Sequence, residues 1–517
     1  MDEPDLNIFA RELLDKILNG SIADRDALQA EKMRMCGRWK LKDVPQNSFI
    51  LSCARPEERD TVLPFLIKKP MRTASGVAVV AVMTSPHPCP HGKCIFCPGG
   101  VDNDSPQSYT GKEPAARRAA RNEFDPYDQV TDRIRQLTEI GHKTDKIDLI
   151  IMGGTFTCRE PEYQEWFVRR CFDAMNGRDA PDIPTAHQWN TVSDHRCVGL
   201  TVETRPDVFD PSQIDAAMAL GATRVELGVQ ILDDEILESV HRGHGIDAVR
   251  RCTKDCRDRG LKVCYHLMPG LPGSSPEKDL ASFRRLFSDP DFRPDMLKFY
   301  TTLVCEGTEL YDMWVNGTYS PYDVPTAVDL LADMKAEVPD YVRIQRIQRD
   351  IPAPQIAAGI KTSNLRQRVQ QRLADTGRAC RCIRCREVGH TSAVLDDPDG
   401  VRMSVEEYEA CGGRERFISY VYGDSLIGYV RLRTDGSPIA SVRELKVFGK
   451  MASIGEEGTD WQHRGFGKEL LRKAEEFAAQ DGASTVRITS GVGVREYYAS
   501  QGYEFRSPYM AKDITLS

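Results

Sequence analysis

Cys89-Pro-His-Gly-Lys-Cys94-Ile-Phe-Cys97-Pro-Gly-Gly100 sets three thiols within nine residues. Three thiolates this close can bind three irons of a cubane 4Fe-4S cluster and leave the fourth iron open. Proteins that only pass electrons usually supply four cysteines. A zinc knuckle with a distant fourth ligand is the competing reading. The segments on either side weigh between the two.

Just before the cysteines, Val77–Thr84 is a short apolar run. Five more follow: Ile147–Gly154, Cys197–Thr204, Ala222–Gln230, Leu261–Gly270 and Asp295–Val304. Near-continuous apolar runs of this length predict parallel strands covered on both faces. Between them lie helix-period segments such as Tyr127–Ile140, with Val130, Ile134, Leu137 and Ile140 on one stripe. Six such units predict an α/β fold, a partial TIM-like (β/α)6 barrel whose chemistry sits at the carboxyl ends of its strands. The cysteines fall just after the first strand, where that rule puts a reactive centre. An open iron there is what S-adenosylmethionine (SAM) chelates before reductive cleavage, so the barrel reads as a radical SAM barrel and zinc becomes the weaker alternative.

The whole chain of 517 residues is too long for one ordinary core, so several domains are expected. A hydrophobic content of 40% with 28% charged residues describes a globular protein. No apolar run approaches the roughly 18 residues of a membrane span. The start, Met1-Asp2-Glu3-Pro4-Asp5, is acidic and unlike a secretory signal. Of 16 cysteines, six sit in two tight clusters and the rest are scattered, which suits metal binding in a reducing cytoplasm better than a disulfide framework. These observations predict a cytoplasmic protein with no membrane partner.

Residues 1–75 precede the barrel. Asp5–Asn19 and Ala23–Met35 read as helices, and Lys68, Lys69 and Arg72 form a basic patch that suits either nucleic acid or plain solvent. The net charge of −8 is unevenly spread. Arg343, Arg346, Arg349, Lys361, Arg366, Arg368, Arg372, Arg378, Arg381, Arg384 and Arg386 follow one another with only Asp350 and Asp375 against them inside that segment. Such a run reads as a phosphate-binding surface, the bland alternative being a solvated helix face. It ends in Cys380-Arg-Cys382-Ile-Arg-Cys385, three thiols suited to a structural zinc that pins the linker, with His390 the nearest candidate for a fourth ligand.

Past this linker the pattern changes. Phe417–Tyr422 and Ser425–Arg433 predict a hairpin about Gly423-Asp424, and Ser441–Phe448 a further strand. Gln462-His-Arg-Gly465-Phe-Gly467 then opens the helix Lys468–Gln480, placing bare backbone N–H groups at a helix start, where a pyrophosphate is favoured. With Glu444-Leu445-Lys446-Val447 before it and Tyr497-Tyr498 after it, this arrangement resembles a GNAT-type α+β acetyltransferase domain. The domains predicted are thus 1–75, a helical RNA-contacting extension; 76–345, the barrel; 346–395, the basic zinc-binding linker; and 396–517, the GNAT-like domain.

A radical SAM barrel and a GNAT domain in this order resemble one family, the catalytic subunit of Elongator with its single-chain archaeal and bacterial relatives. The similarity spans nearly the whole chain, through Gln107-Ser-Tyr-Thr-Gly111, Met152-Gly-Gly-Thr-Phe156, Glu203-Thr-Arg-Pro-Asp207, Met268-Pro-Gly-Leu-Pro-Gly273, Arg346-Ile-Gln-Arg-Asp-Ile-Pro352 and Ser490-Gly-Val-Gly-Val-Arg495. The family modifies the wobble uridine of tRNA, so the resemblance implies a tRNA carboxymethyluridine synthase, of acyltransferase class, making 5-carboxymethyluridine from acetyl-CoA by a SAM-derived radical.

By resemblance, Cys89, Cys94 and Cys97 match the cluster ligands, with the first spacing of the prokaryotic members. Gly153, Gly154 and Thr155 match a strand-end motif that meets the SAM amino group. Glu203 and Arg205, at the next strand end, are candidates for its ribose or methionine. Lys146 matches a lysine that the family uses for acetyl-CoA inside the radical domain, an arrangement that would let one substrate reach both sites. Glu444, Leu445, Lys446, Val447, Gly465, Phe466, Gly467, Lys468 and Tyr498 match acetyl-CoA-binding positions. Tyr497 and Tyr498 are the candidate catalytic phenols, either of which otherwise reads as packing. The thiols at 380, 382 and 385 depart from the eukaryotic pattern. Lys298 and Tyr300, near the end of the sixth strand, are candidates to face the uracil.

The implied partners are the tRNA anticodon stem-loop, gripped by the 343–386 segment with the target base out of its stack, acetyl-CoA and an external electron donor. A different class of function is a protein lysine acetyltransferase whose iron–sulfur barrel is only structural. It would need a base for the incoming ammonium, and Glu444 is the available carboxylate. A tRNA-binding scaffold with dead sites is a third reading, opposed by the intact cysteines, glycines and tyrosines.

Overall fold

A computed structural model describes residues 6–69, 72–73, 75–391, 400–449 and 465–514. Met1–Asp5 and Gln462-His-Arg of the glycine-rich motif lie outside the described residues, as does the proposed boundary at 395/396.

The amino-terminal segment forms four helices, Leu6–Leu18, Arg25–Trp39, Asn47–Ser52 and Arg59–Leu66, where two were expected. Phe9, Leu13, Leu14, Ile50, Val62 and Leu66 build a small core of their own. The bundle leans on the helix Pro126–Glu139 of the next unit across an open groove of about 960 Å3. That helix starts where the Asp125 carboxylate accepts the Asp128 N–H at 3.0 Å, and it buries Val130, Ile134 and Leu137 as its periodicity required.

The barrel sheet has strands β1 Ala78–Met83, β2 Lys146–Met152, β3 Arg196–Thr204, β4 Arg224–Gln230, β5 Lys262–Leu267, β6 Met296–Phe299 and β7 Arg343–Arg346. All pair in parallel and in sequential order, β1 and β7 forming the free edges of an open barrel. The six expected strands are present, and a short seventh, Arg-Ile-Gln-Arg, extends the sheet. β6 ends at Phe299, well before the expected Val304. The chain there turns away so that Tyr300 faces the carboxyl-end pocket.

The second sheet contains β8 Val401–Ala410, β9 Gly413–Tyr422, β10 Ser425–Thr434, β11 Ile439–Val447, β12 Thr485–Ile488, β13 Glu504–Arg506 and β14 Tyr509–Asp513. Its order is β13-β14-β12-β11-β10-β9-β8, antiparallel except for β11 against β12. The helix Phe466–Gln480 covers β10 and β11 with Leu470, Leu471, Ala474 and Ala478.

The two sheets are welded by buried charge. Arg257 and Asp295 come from the barrel, Arg443 and Glu415 from the second sheet, and none of the four is more than 1% exposed. Arg443 donates to both units' carboxylates, to Asp295 at 2.7 and 2.8 Å and to Glu415 at 2.8 Å, while Arg257 reaches Glu415 at 2.9 Å. Gly491 lies so close to β3 that a Cβ there would stand 2.2 Å from the Val198 carbonyl oxygen.

Candidate functional site

At the carboxyl ends of the strands, a cavity of about 110 Å3 is lined by Cys89, Gly154, Thr155, Glu203 and Arg205. Each nearby sulfur meets a donor-bearing group. Thr155 Oγ1 is 3.4 Å from Cys89, Arg242 Nη1 donates to Cys94 at 3.5 Å and Gln107 Nε2 to Cys97 at 3.0 Å, while His91 Nε2, 3.3 Å from Cys94, is the acceptor of an Arg205 N–H. Burial pushes the Cys89 thiol up, with the Thr155 hydroxyl and Arg205 acting against it. Donors ringed about three thiols suit thiolates that share negative charge with a cluster. The residues therefore fit the iron–sulfur group implied by their spacing.

Backbone conformation lets the β2 end approach this centre. Gly153 and Gly154 have φ of +128° and +95°, and a Cβ on Gly153 would lie 2.2 Å from Thr84 Oγ1. On β3, Glu203 accepts the Tyr109 hydroxyl at 2.8 Å. Arg205 is held by Asp207 at 2.9 and 3.0 Å and by His91 at 2.8 Å. The Arg349 guanidinium sits 5.9 Å from the Tyr109 ring and 5.8 Å from that of Tyr300. Gln107 and Tyr109 lie within a stretch picked out by sequence; Arg242 carried no signal of its own.

The second cavity, about 570 Å3, lies at the opposite end of the barrel. Its barrel side is made by Lys146, Gly199, Arg224 and Lys262, at or near the strand starts; its other side by Glu444–Val447, Gly465–Lys468, Tyr497 and Tyr498. Gly465 takes φ of +85° to start the helix Phe466–Gln480. A Cβ on Gly467 would meet the Tyr497 hydroxyl at 3.0 Å, so the bare turn leaves room for a ligand against that phenol. Tyr498 is only 6% exposed and packs in the domain core, whereas Tyr497 is 38% exposed. Leu445 and Val447 pack against the same core. Helix start, strand backbone and four lysines suit a phosphate-bearing cofactor with an extended arm. Burial opposes charge on Glu444, yet Lys262 and Arg431 hold its carboxyl down to about 2. Such a carboxylate is a poor proton acceptor.

Lys146 thus joins the acetyltransferase-like residues and not the cysteines: β2 carries it at one end and leads to Gly154 beyond the other, the strand from Lys146 to Met152 spanning about 20 Å at roughly 3.3 Å per residue. Between the two cavities the lumen holds an ionic string. Arg224 lies 3.2 Å from Asp148 and 4.0 Å from Glu226, and Glu226 also binds Lys298. Asp148, Arg224 and Lys262 were read from sequence only as parts of apolar strands.

The Cys380, Cys382 and Cys385 sulfurs all lie within 4.8 Å of one another. The neighbouring Cys380 and Cys385 thiols hold Cys382 below the ordinary thiol range, and Lys335 adds to this. His390 is not part of that group; its Nδ1 lies 3.1 Å from Glu387. The basic segment is more neutralised than its own acids suggested. Arg343, Arg372, Arg378 and Arg381 pair with Glu387, Asp329, Asp333 and Asp340 from outside the 343–386 run or its far edge. Among the described residues Lys361 and Arg368 are exposed and form no ion pair.

Comparison with known proteins agrees with this division. Residues 85–286 match the Radical SAM superfamily, 294–375 the Radical SAM C-terminal domain, 6–74 the ELP3 N-terminal domain and 393–503 the Acetyltransferase (GNAT) family. The chain is 46% identical to the tRNA uridine(34) acetyltransferase of Methanocaldococcus infernus, over 99% of this chain and 100% of that one. It is 40% identical to Elongator complex protein 3 of Saccharomyces cerevisiae, over 97% and 94% of the two chains. The solved structure of the archaeal Methanocaldococcus infernus Elp3 with an N-terminal deletion (1–46) superposes with a TM-score of 0.76 at 44% identity, covering 85% of this chain and all of that one.

Proposed function

The chain belongs to the Elongator catalytic subunit family, and on that premise we propose that it is a tRNA-modifying enzyme that converts uridine 34 to 5-carboxymethyluridine with acetyl-CoA as carbon donor. The observation that carries this reading is the coexistence of a three-thiol centre at one barrel end with a glycine-started helix at the other. When bound, a 4Fe-4S cluster with SAM supplies a 5'-deoxyadenosyl radical, and acetyl-CoA supplies the two-carbon unit.

The chain's own residues hold and orient these groups. Cys89, Cys94 and Cys97 would ligate the cluster, with Thr155, Arg242 and Gln107 tuning the sulfurs. Gly153, Gly154 and Thr155 would face the SAM amino group, and Glu203 and Arg205 its sugar or methionine end. Gly465, Phe466, Gly467 and Lys468 would receive the CoA pyrophosphate, Glu444–Val447 its arm, with Lys146 from the barrel closing the site. Tyr497 is the phenol placed to meet the thioester; Tyr498 shapes the wall behind it. The three thiols at 380–385 would hold a structural zinc with a fourth ligand other than His390. Lys361 and Arg368 are exposed charges available to RNA phosphate, beside the amino-terminal helices of 1–75. Domains at 76–345, 346–395 and 396–517 complete the division. No helix among the described residues is long and apolar enough to cross a membrane, and a cytoplasmic place with an external electron donor fits the chemistry.

The lysine acetyltransferase reading is disfavoured by Glu444, which is pinned as a carboxylate by Lys262 and Arg431 and is unavailable to deprotonate an ammonium. Nucleoside mass spectrometry of tRNA after anaerobic incubation with SAM, reductant and acetyl-CoA tests the proposal. It expects 5-carboxymethyluridine at position 34, and unmodified tRNA with acetylated lysine would overturn it.

A further inference from the structure

Adding a carbon radical to C5 of uracil leaves C5 carrying both its original hydrogen and the new substituent, with the unpaired electron at C6. Restoring the C5=C6 bond requires one electron to leave to a one-electron acceptor of the iron–sulfur class and the C5 hydrogen to leave as a proton. In a cavity of about 110 Å3 that proton needs an acceptor in the protein wall.

Few groups in that wall are available. Glu203 is engaged by the Tyr109 hydroxyl at 2.8 Å and Asp350 by Arg346; Glu113 accepts the Thr110 N–H at 2.9 Å on Oε1 but keeps Oε2 buried without a partner, which makes it a competing carboxylate. Glu226 is fully buried and paired with Lys298. His266 is the imidazole of the lining, near the carboxyl end of β5, its side chain 15% exposed where it lines the cavity. Its Nε2 lies 2.9 Å from Glu226 Oε2. Burial works against charge on Glu226, but Lys298, His266 and Arg224 together hold its carboxyl well below the usual range. An ionised carboxylate only accepts, so Nε2 is the donor, and the neutral form of the ring has its lone pair on Nδ1. Nδ1 makes no hydrogen bond among the described residues. Tyr300 packs edge-on to the ring, centroids 5.2 Å apart, and fixes its plane. Cys264 completes the surroundings from β5, its sulfur within 4.8 Å of the Glu226 and His266 ligand atoms. The Lys298 ammonium also sits on Glu226 and balances its buried charge.

From this juxtaposition we infer that His266 is the catalytic base that takes the C5 proton through Nδ1, and that Glu226 is the positioning residue that sets its tautomer. The inference rests on the uridine-modifying function proposed above. Carbon–hydrogen cleavage then gives a C5=C6 bond and an imidazolium stabilised by Glu226, which later returns its proton to solvent.

The test uses the full chain with an anticodon stem-loop deuterated at C5 of uridine 34, in single turnover. His266→Gln keeps a donor for Glu226 and removes the basic nitrogen. It is expected to leave 5'-deoxyadenosine formation within about twofold of wild type. Modified uridine should fall roughly 10²-fold or more, with a deuterium isotope effect larger than that of the wild type. Full product from His266→Gln, with an unchanged isotope effect, would overturn the inference and leave the function standing. No product from wild type would instead sink the function itself. A second readout needs no turnover: nitrogen-15 NMR of the wild-type protein should find the His266 proton on Nε2, shifting in Glu226→Gln. A proton on Nδ1 in wild type would also overturn the assignment.

Discussion

Arg443 of the acetyltransferase-like sheet and Asp295 of the barrel form a two-pronged ion pair, 2.7 and 2.8 Å, with neither side chain exposed. Burial alone would raise the Asp295 carboxyl; Arg443 and Arg257 instead hold it far below the usual range. The pair makes the two catalytic units one mechanical body, because removing either partner strands a charge in a dry interface. Asp295→Ala should cost about 3–5 kcal/mol in denaturant unfolding. Its pH signature follows from the depressed folded pKa: the contribution is complete above the unfolded value of 3.8 and is lost as pH falls below it toward the folded one. Thermal scans should show wild type losing stability below about pH 4, with Asp295→Asn lower at neutral pH and less sensitive in that acid range.

Lys262, at the barrel end of the 570 Å3 cavity proposed for acetyl-CoA, is pushed down to about 8 by burial, with Glu444 opposing. It is therefore charged at pH 7 and neutral by pH 9. Affinity for acetyl-CoA, measured calorimetrically, should fall as pH rises through 8. Lys262→Met should bind about tenfold more weakly at pH 7 and lose that dependence, since a charge-assisted hydrogen bond is worth roughly 1.5–3 kcal/mol.

Tyr497 and Tyr498 should separate cleanly. Tyr498→Ala opens a hole in a packed core and should cost about 3–5 kcal/mol of stability. Tyr497→Phe should leave the unfolding curve within about 0.5 kcal/mol of wild type and reduce uridine modification. Equal loss of stability in both variants would contradict the roles given to them.

Much of this was legible in the chain. Ala78–Met83 was announced by an unbroken apolar run although its edge position leaves Val79 39% exposed, whereas Arg224–Gln230 is covered on both faces and buries Arg224 and Glu226 with its apolar residues. β7 escaped because Arg-Ile-Gln-Arg has no apolar run; its pairing with β6 comes from backbone register alone. The basic segment misled local counting because Asp329, Asp333 and Asp340, which neutralise Arg372, Arg378 and Arg381, precede it in sequence. Proximity in sequence likewise nominated His390, whereas the turn closed by the His390 N–H on the Glu387 carbonyl at 2.8 Å sets its ring beside the Glu387 carboxylate. That Lys146 and Gly154 serve opposite cavities follows from strand length, which no motif records.

Binding of an anticodon stem-loop should owe a small, countable share to Lys361 and Arg368. Replacing both with alanine should weaken binding uniformly across sequences and reduce the slope of log affinity against log salt by about 1–2. An unchanged slope would move the RNA surface elsewhere.

Zinc content offers an independent check on the linker. The purified chain should carry one zinc that Cys382→Ser abolishes, and chelation should lower the unfolding temperature.

The central claim is that Cys89, Cys94 and Cys97 hold a cluster with one open iron. Anaerobic reconstitution followed by reduction with SAM tests it most directly. The wild type should show a four-iron spectrum and release 5'-deoxyadenosine, and Cys94→Ser should do neither. SAM cleavage undiminished in Cys94→Ser, or a reconstituted wild type that yields no 5'-deoxyadenosine, would contradict the account.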